Sequence, residues 1–191
     1  VMGFNKNSQE PFYENTKTTP YLGYGVSKKL MENEIHKHMH KNNISIIRAP
    51  WFYGLNQPNR QIEFLNMIKN NKFPIIGNGN NLRSMVYIDN LIQGISRVAS
   101  NEKSKGQTYW IADEKPYSMN IIIKTVKNIY REEYRINISD KNFRLPNFVS
   151  KISRIIDFCL QFAGLYNTKI HVLGEMNMNI FCSIDKAKKD L

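Results

Sequence analysis

The chain has 191 residues, which is enough for one domain with a sizeable core. Its formal charge is +11, from 27 Lys and Arg against 16 Asp and Glu, and this raises the question of a nucleic-acid or anionic-membrane partner. The basic residues are scattered over predicted helix faces and loops, without a basic arm or a stripe interleaved with aromatic residues. We therefore expect no nucleic-acid partner, and we assign the charge to solubility and to a basic pocket for an anionic substrate.

The sequence does not indicate a metal site, a disulfide or a membrane span. Cys159 and Cys182 lack C-x-x-C and Cys/His ligand spacing, so we predict reduced core thiols in a cytoplasmic protein. His36 and His40 lie one helical turn apart, with His38 between them, but no carboxylate or second ligand pair accompanies them; we expect a solvated helix end. No apolar run reaches the ~20 residues that a membrane-spanning helix requires.

The hydrophobic pattern predicts helices that alternate with short strands. A polar, turn-rich loop (3–20) leads to a helix that opens near Tyr24 and runs to about residue 41. Further helices are predicted at 58–71, 90–99, 119–130 and 148–165, and Asp89 and Ser118 are predicted to cap the second and third of these. Strands or extended pieces are predicted at 44–47, 74–76, 85–88, 106–112 and 135–138, with a glycine-rich loop at 77–81 and a turn at 145–146.

The helix predicted at 148–165 has a narrow polar stripe, because only Lys151, Arg154 and Asp157 interrupt a largely apolar sequence. Such a helix either faces lipid or covers a substrate as a lid, or it is buried in a small domain. Both interpretations stay open at this stage, and peripheral association with a membrane stays open with them. His171, further along, is interpreted as a packing or surface histidine.

Tyr24 and Lys28 carry the clearest chemical signal of the chain. Their spacing of four residues places a phenol and an ammonium on one face of the predicted helix, where both can address one small ligand. A free phenol titrates near pH ~10, and a nearby cation favours its phenolate form, which brings such a group towards the working range of a general acid/base. Taken alone, the pair is a weak signal, and a surface helix that carries an incidental tyrosine and lysine is the favoured interpretation.

Four phrases, in order, strengthen the functional interpretation. They occupy residues 24–32 (YGVSKKLME), 46–54 (IIRAPWFYG), 74–79 (PIIGNG) and 83–91 (RSMVYIDNL). Together they resemble the extended short-chain dehydrogenase/reductases, the NAD-dependent epimerase/dehydratase family, from Val1 to Leu191, loosely after about Ile111. The resemblance implies an α/β fold of Rossmann type, a doubly wound parallel sheet, with a small substrate-binding domain.

The resemblance also implies that the chain is the C-terminal part of a longer enzyme. The sequence has no G-x-G-x-x-G turn for a cofactor pyrophosphate, and residues 1–3 (VMG) are similar to the end of a family phrase that follows its catalytic serine or threonine. We therefore expect the N-terminal cofactor half to lie outside this sequence, and the fragment itself to be inactive. We expect residues 1–53 to be the remaining Rossmann part with the catalytic helix, and residues 54–191 to be a substrate-binding region interleaved with closing Rossmann elements at about 84–112.

The resemblance implies a catalytic and cofactor-binding role for five residues. Tyr24 corresponds to the acid/base, and Lys28 to the lysine that holds the nicotinamide ribose and lowers the pKa of the tyrosine. The backbone of Ala49, Pro50 and Trp51 corresponds to the turn that lies against the nicotinamide. The implied cofactor is NAD or NADP; the strand end that decides between them is not part of the sequence.

The implied substrate contacts are Trp51, Phe52, Tyr53, Asn78 and Arg83, the last two for the phosphates of a substrate. Each group has a plainer alternative: Trp51 and Phe52 as core at a strand end, and Arg83 as a solvated turn residue. Nucleotide-sugar epimerases commonly carry asparagine where this chain has Trp51. A Trp-Phe-Tyr run suits a ring or an acyl group at least as well as a sugar diphosphate.

The sequence therefore predicts an NAD(P)-dependent epimerase or dehydratase acting on a sugar, with a nucleotide sugar as the expected small-molecule substrate. A dehydrogenase or reductase of hydroxysteroid- or flavonol-reductase-like type is the alternative that Trp51 supports. A non-catalytic NAD(P)-binding protein is the second alternative, although such proteins usually lose the tyrosine or the lysine. A homodimer is expected from the resemblance alone.

Overall fold

A computed structural model describes residues 8–20, 23–39, 41 and 43–191. The phrase at 1–3 and His40, both used above, lie outside these described residues. The chain divides into two compact units. The first unit contains the described residues up to Leu55 together with Ser84–Pro116 and Ile180–Leu191, and the second unit contains Asn56–Arg83 and Tyr117–Asn179.

Helices and short strands alternate along the described chain. The α-helices are α1 (Gly23–His38), α2 (Asn59–Lys69), α3 (Ile88–Ser100), α4 (Met119–Glu132), α5 (Asn147–Phe162), α6 (Thr168–Glu175) and α7 (Asp185–Asp190). The strands are β1 (Ile46–Arg48), β2 (Trp51–Tyr53), β3 (Ile75–Ile76), β4 (Leu82–Arg83), β5 (Met85–Tyr87), β6 (Thr108–Trp110), β7 (Tyr117–Ser118) and β8 (Arg144–Leu145). The five helices predicted from the sequence are confirmed as α1 to α5, with ends that differ by a few residues.

Two parallel strand pairs organise the first unit. β1 pairs with β6 in the register Ile46 to Thr108, and β2 pairs with β5 in the register Trp51 to Met85. Parallel pairing needs a crossover connection, and strands paired in this way are covered on both faces, which explains their run of apolar residues. The strands predicted at 44–47, 85–88 and 106–112 are thus confirmed as β1, β5 and β6.

The C-terminal residues return to the core of the first unit. The phenol of the fully buried Tyr109 donates a hydrogen bond of 3.2 Å to Asp190 Oδ2 in α7, and Arg97 Nη1 donates one of 2.9 Å to the backbone oxygen of Leu191. Burial, with the Asp190 carboxylate, raises the pKa of Tyr109 to about 12. These contacts are a reason for the place of residues 180–191 in the first unit, and the sequence pattern did not indicate them. The predicted domain boundaries stay predictions.

In the second unit, β3 pairs with β8 in parallel and β4 pairs with β7 in antiparallel orientation. Ser118 caps α4 as predicted, because its Oγ accepts a hydrogen bond of 3.2 Å from the backbone nitrogen of Ile121. The Lys127 ammonium on the same helix is buried and donates to Asn71 Oδ1 and to the backbone oxygen of Ser139, each at 2.8 Å. Burial lowers the pKa of Lys127, and Arg131 lowers it further.

Two predictions for residues 135–146 are wrong. No strand forms at 135–138: Arg135 has a φ of 53°, and the backbone oxygen of Ile138 accepts hydrogen bonds from the Arg131 side chain at 3.0 and 2.8 Å. A buried lysine and an arginine on α4 therefore hold this segment as a loop. The turn predicted at 145–146 is also corrected, because Leu145 pairs with Ile76 in the β3–β8 pair.

Both cysteines were predicted to be core residues, and this prediction is wrong for Cys159. Cys182 is half-buried and Cys159 is exposed on α5, and both are free thiols. Burial raises the pKa of the Cys182 thiol to about 11. The exposure of Cys159 follows from the orientation of α5, which turns its apolar residues outward.

Candidate active site

Tyr24 and Lys28 lie on one face of α1, where their spacing places them. The Lys28 ammonium nitrogen is 5.7 Å from the centroid of the Tyr24 ring. Tyr24 is 63% exposed. In the part of the chain that the structure describes, its phenol accepts or donates no hydrogen bond and the Lys28 ammonium has no carboxylate partner. Both groups are therefore available to a ligand that approaches this face.

A buried ion pair anchors α1 one turn beyond Lys28. The Glu32 carboxylate, one turn after Lys28, accepts hydrogen bonds from Arg48 Nε at 3.0 Å and from Arg48 Nη2 at 2.7 Å. Arg48 Nη1 also donates to the backbone oxygen of Glu14 at 2.9 Å, and the Glu14 carboxylate accepts from the backbone nitrogen of Trp110 at 3.0 Å. This network ties α1 and the loop before it to β1 and β6. The signal that could have revealed it is a charged residue directly after an apolar strand.

Residues 49–53 form a short connection and a strand, where the sequence predicted a turn. Trp51–Tyr53 is β2, since aromatic side chains suit a pleated, half-buried surface and β5 offers a partner. Ala49 and Phe52 pack against the core around Val86. Trp51 and Pro50 are half-buried. Phe52 is also half-buried, so the substrate contacts of Trp51 and Phe52 stay predictions.

Asp113 is a structural residue of the first unit that the sequence did not indicate. Its Oδ1 accepts a hydrogen bond of 3.1 Å from the backbone nitrogen of Tyr87, the N-cap residue of α3, and lies 3.4 Å from Asn90 Nδ2. Its Oδ2 accepts a hydrogen bond of 2.9 Å from the Tyr53 phenol. The predicted N-cap, Asp89, is wrong: it lies inside the first turn of α3, and an aspartate from beyond β6 bonds to the N-terminus of the helix instead.

Arg83, in β4 of the second unit, is half-buried and only partly paired. Its Nη2 donates a hydrogen bond of 2.5 Å to the backbone oxygen of Glu175, and its Nε is buried without an acceptor among the described residues. Burial lowers the pKa of the Arg83 guanidinium to about 10, while Glu175 raises it and Arg60 lowers it, so the side chain remains a cation at neutral pH. These contacts contradict the solvated-turn interpretation and leave one buried donor for an anionic acceptor.

The loop before Arg83 is held in shape by glycines and asparagines. Gly77 and Gly79 have φ values of 67° and 72°, a region that favours glycine. Asn120 Nδ2 donates a hydrogen bond of 2.8 Å to the backbone oxygen of Asn78, and Asn78 Oδ1 accepts one of 3.0 Å from the backbone nitrogen of Asn80. Asn78 is exposed, so its amide nitrogen faces outward from a fixed loop.

The described residues include no group of three or more His, Cys, Asp or Glu that could hold a metal ion. Of the three clustered histidines, His36 Nδ1 lies 2.9 Å from Met39 Sδ and His38 Nε2 lies 3.3 Å from Glu34 Oε1. Among the described helices, none has both the length and the apolar content needed to cross a membrane.

Residues 2–112 match the model of the NAD dependent epimerase/dehydratase family. The chain belongs to this family. The match includes Tyr24, Lys28 and Arg83, and it confirms the resemblance on which the sequence interpretation rests.

Two curated relatives align with nearly all of the chain. Uncharacterized protein y4nL of Sinorhizobium fredii is 48% identical, and the alignment covers 100% of this chain and 54% of the relative. The N-acetyl-alpha-D-glucosaminyl-diphospho-ditrans,octacis-undecaprenol 4-epimerase of Escherichia coli O157:H7 is 23% identical, with 96% of this chain and 53% of the relative covered. The chain thus spans about half the length of these curated relatives.

Solved structures of epimerases and dehydratases share the fold. The UDP-glucuronic acid 4-epimerase from Bacillus cereus, solved with NAD, has a TM-score of 0.68 at 22% identity. The alignment covers 100% of this chain and 52% of the epimerase chain. The dTDP-glucose 4,6-dehydratase from Bacillus anthracis, also in complex with NAD, has a TM-score of 0.65 at 14% identity with the same coverage, 100% and 52%. The predicted α/β fold of Rossmann type is confirmed.

Proposed function

We propose that the protein is an NAD(P)-dependent epimerase or dehydratase that acts on a sugar carried by a diphosphate, with a nucleotide sugar as the leading substrate class. The observation that carries the proposal is the exposed Tyr24–Lys28 pair on one face of α1, in a chain of an NAD-dependent epimerase and dehydratase family. The structural neighbours named for UDP-glucuronic acid and dTDP-glucose support the nucleotide-sugar class.

The Tyr24–Lys28 face fits a bound nicotinamide cofactor, because it offers an unpaired phenol and an unpaired ammonium within reach of one ligand. NAD(P), when bound, supplies the acceptor and donor of hydride. In the proposed reaction the Tyr24 oxygen takes the proton of a substrate hydroxyl and later returns it. Lys28 would hold the cofactor, and its charge would stabilise the negative charge that develops on the Tyr24 oxygen. The backbone of Ala49 and Pro50 would also hold the cofactor.

Arg83 is proposed as the diphosphate contact. The guanidinium is a cation with more N–H donors than the one that Glu175 takes, and charge-assisted bonds from such donors to phosphate oxygens are among the strong ones. Asn78 adds an exposed amide from a fixed loop. Trp51 and Tyr53 are proposed for the sugar side, and Phe52 supports them from the core.

The replacement of Tyr24 by phenylalanine tests the acid/base assignment. We expect Tyr24→Phe to lower kcat by roughly 10²–10⁴-fold, because the proton-transfer group is removed, with little change in cofactor affinity. Tyr134→Phe is the matched control, since Tyr134 is 66% exposed and Tyr24 is 63% exposed. Full activity of Tyr24→Phe in the complete protein would contradict the assignment.

A dehydrogenase or reductase is the second candidate, and the half-buried Trp51 favours it because the indole suits a ring-shaped or acyl substrate. Freshly purified protein should distinguish the two after denaturation and assay for released nicotinamide dinucleotide. A stoichiometric amount supports the epimerase or dehydratase, which must take back the hydride that it removed. An empty protein that exchanges cofactor freely supports the reductase.

The carrier of the sugar is a further choice within the leading proposal. The Escherichia coli relative is named for a sugar on a diphospho-undecaprenol, so a polyprenol is the alternative to a nucleoside. The diphosphate is common to both carriers. Arg83→Lys, which keeps the charge and loses the planar donors, should therefore weaken either sugar diphosphate and leave a substrate without phosphate unaffected.

A further inference from the structure

Helix α5 turns polar side chains inward. Ser150, Ser153 and Asp157, which share one face of the helix, are buried. Ser150 Oγ lies 2.7 Å from the backbone oxygen of Gly174, at the end of α6. Asp157 Oδ2 lies 2.9 Å from His171 Nδ1, also in α6. The contact between the two helices is thus made by small and polar groups that satisfy one another.

The opposite side of α5 is apolar and exposed. Five residues recur here every three or four positions, and we call them the outer face of α5: Phe148, Ile152, Ile155, Cys159 and Phe162. Each of them is exposed, and Phe162 is 90% exposed. A helix that buries its serines and an aspartate while it exposes isoleucines and phenylalanines has its hydrophobic surface arranged for something other than its own core.

The charges that α5 itself presents have one sign. Lys151 is exposed and Arg154 is half-buried. The acidic residue of the helix is Asp157, which is buried against His171. The surface of α5 therefore offers cations to a partner without a compensating carboxylate on the same helix.

We propose that the outer face of α5 docks onto the anionic surface of a lipid bilayer, with the helix lying in the plane of the interface. Exposed phenylalanine and isoleucine side chains can enter the boundary between head groups and acyl chains while flanking lysines and arginines contact anionic lipids. A second copy of the chain is the poorer occupant, because two such faces would bring like charges together. The proposal is independent of the reaction proposed above, although a polyprenol-linked sugar would be met at the same surface.

Vesicle binding of the complete protein tests the proposal. We expect flotation with vesicles of equal parts phosphatidylglycerol and phosphatidylcholine, and weaker binding as salt is raised. The double variant Ile152→Gln with Ile155→Gln should bind at least about tenfold more weakly, because two apolar side chains no longer enter the bilayer. Lys151→Glu should weaken binding to the phosphatidylglycerol vesicles by about tenfold and leave binding to pure phosphatidylcholine vesicles nearly unchanged.

The chain offers a closely matched control on another helix. Ile92 and Ile95 of α3 have the same spacing and are 57% and 47% exposed, against 50% and 64% for Ile152 and Ile155. The variant Ile92→Gln with Ile95→Gln should bind vesicles like the unaltered protein. An equal loss of vesicle binding in both double variants would overturn the assignment to α5, since it would indicate nonspecific hydrophobic binding.

A second readout is the reaction of Cys159 with a maleimide, which anionic vesicles should slow because Cys159 lies on the outer face of α5. Unchanged labelling with vesicles that do bind the protein would overturn the proposal. The proposal would also be overturned, in favour of a second copy, by a protein that does not bind vesicles and is dimeric by light scattering. In that case the Ile152→Gln with Ile155→Gln variant should be monomeric. Melting temperatures check that all variants remain folded.

Discussion

Helices α1 and α5 both bury an acidic side chain, but the two carboxylates have different partners. Glu32 of α1 is held by two hydrogen bonds from Arg48, at 3.0 and 2.7 Å. Asp157 of α5 lies 2.9 Å from His171 Nδ1. Arginine stays charged at every pH that a folded protein meets, whereas histidine carries a charge only when it is protonated. The contact of α1 is therefore a permanent ion pair, and that of α5 pairs a carboxylate with an imidazole.

The two buried carboxylates lie differently on their helices. Glu32 lies one turn beyond Lys28, so its ion pair with Arg48 anchors α1 next to the accessible Tyr24–Lys28 pair. Because Asp157 points towards α6, the apolar side of α5 is left exposed. A buried charge gains little net stability unless it is well paired, but its loss leaves the partner unpaired and is costly. We infer that these two contacts act chiefly to orient the helices.

The largest effect is expected when the permanent ion pair is broken. Glu32→Gln leaves the Arg48 guanidinium buried without its carboxylate, and should lower the free energy of unfolding by about 3–5 kcal/mol. Urea unfolding followed by circular dichroism measures this loss. The control is Glu34→Gln on the same helix: Glu34 is solvent-exposed, and its hydrogen bond and charge contact with Lys37 lower its pKa. We expect no measurable loss in that variant. Similar results for both variants would contradict the orienting role of Glu32.

A chemical probe tests the outward orientation of α5 directly. Cys159 is exposed on α5, whereas burial raises the pKa of Cys182 to about 11 from an ordinary value of 9.0. The thiolate is the reactive form, so at pH 8 Cys182 should react roughly a hundredfold more slowly than a thiol of ordinary pKa. Labelling with a disulfide reagent should therefore show one fast thiol, which the Cys159→Ser variant removes. Two fast thiols, or none, would contradict this arrangement.

The sequence predicted the existence of these helices far better than their orientation. Regular spacing of apolar residues identifies α5 as a helix whichever side faces the core. The partners that reverse its orientation lie on another helix: His171 follows Asp157 by fourteen residues, and a local pattern does not show that they meet. The same limit explains Asp89 and Asp113, because an aspartate that is distant in the chain took the place of the nearby one.

For the candidate site, the spacing of Tyr24 and Lys28 together with the family phrases predicted the pair, and the structure shows the two groups on one face. The sequence did not predict the burial or the hydrogen bonding of the Arg83 side chain. Whether a guanidinium is solvated or half-buried depends on α6, whose Glu175 backbone oxygen accepts its hydrogen bond. The roles of Ala49, Pro50, Trp51, Tyr53 and Asn78 depend on bound ligands, and they stay predictions.

A smaller loss is expected for the contact of α5. Asp157→Asn removes the charge but keeps an oxygen for Gln161, which donates to Asp157 Oδ1 at 3.1 Å. We expect a loss of about 1–3 kcal/mol in the free energy of unfolding, less than for Glu32→Gln. A double-mutant cycle with His171→Asn should give a coupling energy of about 0.5–3 kcal/mol. The matched control is Asp140→Asn, an exposed carboxylate that pairs with Arg131 in the same unit. Additive effects of the two substitutions at 157 and 171 would show that their contact does not fix α5.

The smallest effect is expected on α4, a helix of ordinary orientation that buries Met119, Ile122 and Ile123. Ser118→Ala removes the side-chain acceptor of the Ile121 backbone nitrogen and should cost about 1 kcal/mol, while Ser118→Asp keeps an acceptor and should cost less. Because the packing of these apolar residues and the buried Lys127 hold α4 independently of its cap, the loss of the cap should fray one turn without reorienting the helix. A loss at Ser118 as large as that at Asp157 would mean that the buried aspartate contributes no more than an ordinary cap, and the reversed orientation of α5 would then need another cause.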